Sequence, residues 1–223
     1  MNKLIMITGT QLPYITPIIT FFLGLIAVPI TEHFKAYLEK RRILKALIVE
    51  LHDEVLIIDH EFEMLYECFE DIKSVQETKS GFSKLNTVSP DQLKIYSISK
   101  ILDNHFEKLN TVTRRSIKHI NETGAHLNNL SIEINSQYKE YLPDILKDDN
   151  QVNKLLTNQC NYLCCILYYR YNIIFLLKIL SNESSDLKIF SELKFYDVVK
   201  HQLHELNKNE YVKTLINFQK PYF

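Results

Sequence analysis

The side chains of this chain that could bind a metal ion lie in two groups. His201, His204 and Glu205 fall within five positions, and on a helix the two histidines would share one face. A zinc site needs a third protein ligand beside the histidines, and the sequence offers none that can be identified. We interpret this group as part of an amphipathic surface and predict no metal site here.

The second group lies closer to the N-terminus, between residues 50 and 60. Its carboxylates and imidazoles are Glu50, His52, Asp53, Glu54, Asp59 and His60. Carboxylates one helical turn apart, together with a histidine, bind metal ions in some four-helix bundles, but the Glu-x-x-His spacing of di-iron proteins is absent here. We therefore predict that these residues form a solvated helix face.

Four cysteines complete the set of reactive side chains. Cys160, Cys164 and Cys165 lie close together, and Cys68 lies alone. A Cys₄ zinc site needs two separated pairs, and small disulfide scaffolds are much denser in cysteine. We predict buried free thiols in a reducing compartment. Motifs for phosphate binding, dinucleotide binding and nucleophilic hydrolysis are absent from the sequence, so we also predict no cofactor.

Arg114 and His119 are separated by four residues. This Arg-x4-His spacing resembles that of HEPN-type ribonucleases, which are also helical bundles. The resemblance implies that two protomers would bring paired arginines and histidines against an RNA phosphate. In that family the residue after the arginine is usually Asn, Asp or His, whereas here it is Arg115. The alternative, which we favour, is a solvated basic turn.

A long apolar stretch near the N-terminus is the strongest signal in the sequence. No charged residue lies between Lys3 and Glu32, and the eighteen residues from Pro13 to Ile30 would span about 27 Å as a helix, which is close to the hydrocarbon thickness of a bilayer. We predict a short tail at 1–11, a transmembrane helix at 12–30 and a cytoplasmic helical domain at 31–223. The residues assigned to the anchor are Pro13, Tyr14, Phe21, Phe22, Leu23 and Ile30. A cleaved signal peptide and a buried core helix are the alternatives.

The charges that flank this stretch predict its orientation. Only Lys3 and the amino terminus precede it, whereas five basic residues follow it closely. They are Lys35, Lys40, Arg41, Arg42 and Lys45. By the positive-inside rule the short N-terminus lies outside a bacterial inner membrane and the rest of the chain is cytoplasmic. Lys40, Arg41 and Arg42 would form a basic collar near the headgroups, where each gains about 1 kcal/mol from anionic lipid.

The remainder of the chain is helical in its periodicity. Apolar residues recur at helical spacing from 31 to about 79, from 90 to 143, from 145 to 180 and from 186 to 217, with loops at 81–89 and 181–185. The sequence Ser89-Pro90-Asp91-Gln92 predicts the start of the second arm, and a break is expected near Asp103. We predict an all-α protein in which the transmembrane helix continues into a long helix, followed by an antiparallel helical bundle.

One segment of that bundle is apolar enough to compete for a second membrane crossing. Residues 160–180 carry a single charge at their centre, Arg170, and another near the end, Lys178. A central arginine costs about 2.5–3.5 kcal/mol to insert into a bilayer. We favour the core helix of the bundle. In the alternative, a second span formed on activation, Arg170 would be a switch or pore residue.

Composition narrows the partners that we expect. The net charge of −1 gives no bulk electrostatic case for nucleic acid. The layout and the Ile/Lys/Asn-rich composition resemble small membrane-anchored effectors of bacterial anti-phage defence, including those that accompany some retrons and abortive-infection operons. The resemblance implies a non-enzymatic protein whose cytoplasmic helices hold a protein partner or a second copy, and whose release damages the lipid bilayer. An anchored HEPN-like ribonuclease and a membrane scaffold are the other readings.

Overall fold

The computed structural model contains helices and connecting loops, and no strand, over the residues it describes, which are 12–78, 87–145, 148–181 and 193–219. Within those ranges there are six α-helices: α1 (Leu12–Thr78), α2 (Tyr96–Asn104), α3 (Thr111–Ile145), α4 (Asp149–Leu180), α5 (Phe195–Glu205) and α6 (Tyr211–Gln219). A 3₁₀ turn at Phe106–Lys108 follows α2. The predicted all-α class with a long N-terminal helix and a helical bundle is confirmed. The predicted tail at 1–11, most of the loop at 81–89 and the turn after Ser181 lie outside the described residues.

The chain divides into two compact units, Met1–Lys45 and Ala46–Phe223. In the first unit the structure describes α1 from Leu12 onwards. Its helix contains Pro17 and Pro29, each of which removes one backbone hydrogen bond. The hydroxyls of Thr20 and Thr31 donate to the carbonyls of Thr16 and Ala27, at 2.9 and 2.7 Å. These hydroxyl groups therefore have partners inside the helix itself.

The second unit is built around α4. This helix contacts α3, α5 and α6, and it is buried on several faces rather than along one stripe. Asp148 caps its N-terminus by accepting from the backbone of Asn150, and Lys178 lies in its last turn, where a cation favours the helix dipole. The predicted helix at 145–180 is thus confirmed from Asp149 to Leu180.

The part of α1 after residue 46 supplies the other long wall of the core. Its buried apolar side chains recur at intervals of three, four or seven residues, which places them on one helix face: Leu47, Leu51, Ile58, Phe62, Leu65, Phe69 and Ile72. Aromatic contacts join this wall to α6. The rings of Tyr66 and Tyr211 stack with centroids 3.6 Å apart, and Phe69 meets Phe218 edge-on at 5.5 Å.

The predicted helix start at Ser89-Pro90-Asp91-Gln92 is wrong. Residues 87–95 are not helical, and α2 begins at Tyr96. The reason is that side chains distant in sequence bind this backbone. Asn128 bonds both the N–H and the carbonyl of Leu93, at 2.8 and 3.0 Å, and Ser131 donates to the carbonyl of Pro90 at 2.8 Å. The break expected near Asp103 is confirmed, because α2 ends at Asn104.

The single helix predicted at 186–217 is also wrong over its described part, where α5 and α6 are separate helices. Asn207 has φ of 56°, the left-handed conformation that ends many helices. The backbone N–H of Lys208 then bonds the carbonyl of Leu203 at 2.8 Å, closing the end of α5. Apolar periodicity continues through this break and therefore conceals it.

Candidate functional site

The apolar side chains of the first unit have no protein partner around them in the described structure. Phe21, Phe22, Leu23 and Ile30 are 57–63% exposed, and every other large apolar residue from Ile18 to Leu38 is exposed as well. Pro13 and Tyr14 lie in α1, but their side chains lie outside the described part. Such a continuous apolar surface is typical of a membrane or interface segment, since monomeric soluble proteins rarely expose one.

Two described helices are long and apolar enough to cross a membrane, as judged by length and composition. Each contains an 18-residue window of mean hydropathy 1.6. They differ in burial: none of the window in α1 is buried, whereas 67% of the window in α4 is. A core helix of a soluble bundle passes the same hydropathy test, and α4 has the burial of such a helix.

The basic collar follows the apolar stretch on the same helix. Arg41 and Arg42 are exposed, and Lys40 is half-buried. Lys35 and Lys45 are also exposed. The cationic groups of α1 between residues 35 and 45 are thus largely available to anions from outside the chain.

Arg170 lies inside the second unit, not on its surface. It is 8% exposed, and its Nε and Nη2 bond the two carboxylate oxygens of Asp59 on α1, at 2.5 and 3.2 Å. Its Nη1 bonds Oε1 of Gln202 on α5 at 2.6 Å. A bidentate pair of this kind is among the strongest charge-assisted contacts in proteins. The role of Arg170 as a switch stays a prediction, but its partners Asp59 and Gln202 are new.

A second buried polar group joins α1 to α4. Oε1 of Glu61 accepts from the hydroxyl of Tyr162 at 3.0 Å and from the backbone N–H of Asp91 at 3.1 Å. About two helical turns earlier, Glu54 is 8% exposed, and its Oε1 is buried with no hydrogen-bond partner. The solvated face predicted for this stripe is therefore wrong at Glu54, which is buried close enough to Tyr162 and Tyr169 of α4 for its charge to affect both.

Burial changes the acidity of these carboxyls. Desolvation, followed by repulsion from Glu61 and Glu50, raises the pKa of Glu54 from 4.5 to about 7. Desolvation also raises the pKa of Glu61, and its bonds from Tyr162 and Asp91 oppose that rise. Glu50 is held differently, since its two oxygens accept from the hydroxyl and backbone N–H of Ser97 at 2.8 and 2.9 Å.

The two residues of the HEPN-like spacing lie on α3 in different surroundings. Five residues along a helix correspond to about 140° of rotation, so the side chains diverge. Arg114 bonds the hydroxyl of Thr111 at 3.4 Å, whereas the ring of His119 meets Tyr168 edge-on at 5.6 Å. Desolvation lowers the pKa of His119 although Glu122 opposes it. The ribonuclease assignment stays a prediction.

The remaining candidate residues are the histidines at 201 and 204 and the four cysteines. His201 and His204 are exposed, and the described residues contain no cluster of three or more His, Cys, Asp or Glu side chains able to hold a metal ion. The four cysteines are free thiols. Cys68 lies 3.4 Å from the hydroxyl of Tyr138, and the thiol of Cys160 donates to the carbonyl of Leu215 at 3.3 Å.

Comparison with known proteins adds no relative. No protein-family model matches the chain, and searches of curated proteins and of solved structures give no significant match.

The buried Arg170–Asp59 pair can be compared with the exposed Lys208–Glu63 pair, since Asp59 and Glu63 both lie on α1. We expect Asp59→Ala to lower the free energy of unfolding by about 3 kcal/mol, because it leaves a buried guanidinium without its carboxylate. Glu63→Ala breaks the exposed contact with Lys208, which measures 2.9 Å, and should cost less than about 1 kcal/mol. Denaturant unfolding of the full chain in mild detergent measures both. Equal losses would contradict a special role for the buried pair.

The carboxyl of Glu54 should make stability depend on pH. Its pKa is higher in the folded chain than in the unfolded one. Below pH 4.5 the carboxyl is protonated in both states, so its burial carries no cost of ionisation. The free energy of unfolding then falls as pH rises from 4.5 towards about 7. We expect Glu54→Gln to raise the free energy of unfolding at pH 8 by up to about 3 kcal/mol, with little effect at pH 4.5. Glu67→Gln, an exposed change on the same helix, is the control. A gain that is the same at both pH values would refute the assignment.

Proposed function

We propose that this chain is a non-enzymatic membrane effector or sensor, anchored in a bacterial inner membrane by residues 12–30. The observation that supports the anchor best is the wholly exposed apolar stretch of α1, whose window of mean hydropathy 1.6 has no buried residue. Water would surround Phe21, Phe22 and Leu23 in any soluble form of the described structure, whereas a bilayer would remove that apolar surface from water.

The orientation in this proposal rests on charge. Five basic residues follow the apolar stretch within fifteen positions, and only Lys3 precedes it. The helical bundle is therefore assigned to the cytoplasm, where its free cysteines would stay reduced. The role in anti-phage defence rests on the resemblance in layout and composition. The proposed action is a shift in population between an inhibited bundle and a membrane-perturbing state.

Two matched double substitutions test the anchor. Phe22→Arg/Leu23→Arg places two charges in the apolar stretch, at about 2.5–3.5 kcal/mol each for insertion, and should move the protein from the carbonate-resistant membrane fraction to the soluble fraction. Leu56→Arg/Ile57→Arg makes the same change at exposed apolar positions of the second unit and should leave the protein in the membrane. Release of both variants, or of neither, would count against residues 12–30 as the anchor.

The effector role is tested in cells that overexpress the protein. We expect growth arrest to coincide with loss of membrane potential and entry of an impermeant dye, and the Phe22→Arg/Leu23→Arg variant to abolish both. Arg114→Ala and His119→Ala should leave both effects unchanged, because the proposal assigns them no catalysis. If growth stops while the membrane potential stays intact, the membrane-perturbing proposal fails, and loss of toxicity in the Arg114 or His119 variants would favour the ribonuclease.

A further inference from the structure

A cavity of about 140 Å³ lies in the second unit, between the segment leading into α2, helix α3 and helix α4. Its floor is apolar, with Ile98, Ile120 and the ring of Tyr169, all of which are buried. Its rim is polar and reaches solvent at Ser99 and Asn121. The size is close to that of an engineered protein cavity of roughly 150 Å³ that binds benzene, so one six-membered ring fits.

The missing side chain at Gly124 keeps this cavity open beside Tyr169. A Cβ at Gly124 would lie 3.4 Å from the hydroxyl oxygen of Tyr169, in van der Waals contact, and any longer side chain would enter the space next to that hydroxyl. Tyr169 itself is 2% exposed. The hydroxyl of Tyr169 thus lies beside Gly124 at the cavity wall, while the Tyr169 side chain is almost wholly buried.

Some polar side chains around the cavity already make hydrogen bonds within the protein, and others do not. The amide oxygen of Asn128 accepts from the backbone N–H of Leu93, and its amide nitrogen donates to the Leu93 carbonyl. Asn128 therefore holds this wall of the cavity in place. Tyr162, one heptad before Tyr169 on α4, donates to Glu61. No equivalent bond joins Tyr169 to Oε1 of Glu54, which is buried without a partner. The hydroxyl of Tyr169 is therefore not bonded to the carboxyl of Glu54.

The charged groups that act on Tyr169 and at the cavity rim determine which ligands can bind. Desolvation and, next, the charge of Glu54 raise the pKa of Tyr169, so its hydroxyl stays protonated and can donate a hydrogen bond. The same carboxyl would repel an anion in its ionised form, which predominates above pH 7. At the rim, the ammonium of Lys94 already lies 4.7 Å from the ring centre of Tyr96. An uncharged ring that carries one hydrogen-bond acceptor satisfies both constraints.

We propose that this cavity is a binding site for a small uncharged single-ring molecule, which accepts a hydrogen bond from Tyr169. The site goes beyond the proposed anchoring and toxicity, since it depends on the second unit alone. It would also supply an input for a sensor, because Tyr169 of α4 borders the cavity and is close enough to Glu54 of α1 to be affected by its charge.

The test uses phenol as the probe, with the full chain in mild detergent and binding followed by ligand-detected NMR. Phenol should bind in the millimolar range, as expected for a ligand of this size. Benzoate, which matches the ring but is anionic, should bind at least about tenfold more weakly. Tyr169→Phe should weaken phenol by roughly 3–10-fold, the value of one hydrogen bond, and leave benzene unchanged.

Two further variants locate the binding. Gly124→Leu fills the cavity and should abolish phenol binding, whereas Gly24→Leu makes the same change where no atom lies within 4 Å and should have no effect. Asn121→Trp covers the mouth from an exposed position, so it tests the site even if Gly124→Leu disturbs folding. Absence of phenol binding, or an affinity for phenol that is unchanged in both Asn121→Trp and Tyr169→Phe, overturns the site. Either result leaves the anchor proposal untouched, since the membrane-fraction assay reports on residues 12–30.

Discussion

The contacts between α1 and α4 are the constraint on which the second unit depends. They include two buried polar links, Glu61 to Tyr162 and Asp59 to Arg170. A buried charge without a partner is strongly destabilising, so these links admit one register between the two antiparallel helices. Each link also engages a third element: Asp91 before α2 bonds Glu61, and Gln202 of α5 bonds Arg170.

Arg170 shows how one residue can fit two opposite readings of a helix. In a bilayer, a central arginine would be expensive and would indicate a pore or a switch. In the bundle, its three nitrogen atoms each donate a hydrogen bond to Asp59 or Gln202, and the surrounding apolar residues of α4 are buried within the protein. Hydropathy is the same in both cases, since it counts residue types and ignores neighbours.

The side chains along residues 50–61 show a similar contrast. Their alternation of carboxylates and imidazoles looks like a solvated face, yet Glu54 and Glu61 are buried while His52 and Asp53 are exposed. The segment at 87–95 carries a strong helix-start sequence, yet Asn128, Ser131 and Glu61 bind its backbone in a non-helical form. In both places the deciding partner comes from an element far away in sequence, which local pattern cannot supply.

The sequence by itself determined the all-α class, the approximate extents of α1 and α4, and the apolar stretch from Pro13 to Ile30 with its basic flank. These follow from periodicity, hydropathy and charge, which are properties of neighbouring residues. Only the tertiary structure decided that α4 is buried, that Arg170 pairs with Asp59, and that Tyr169 and Gly124 border a cavity. The physical reason is that burial and pairing depend on which distant helix faces meet, and many sequences with the same local pattern would meet differently.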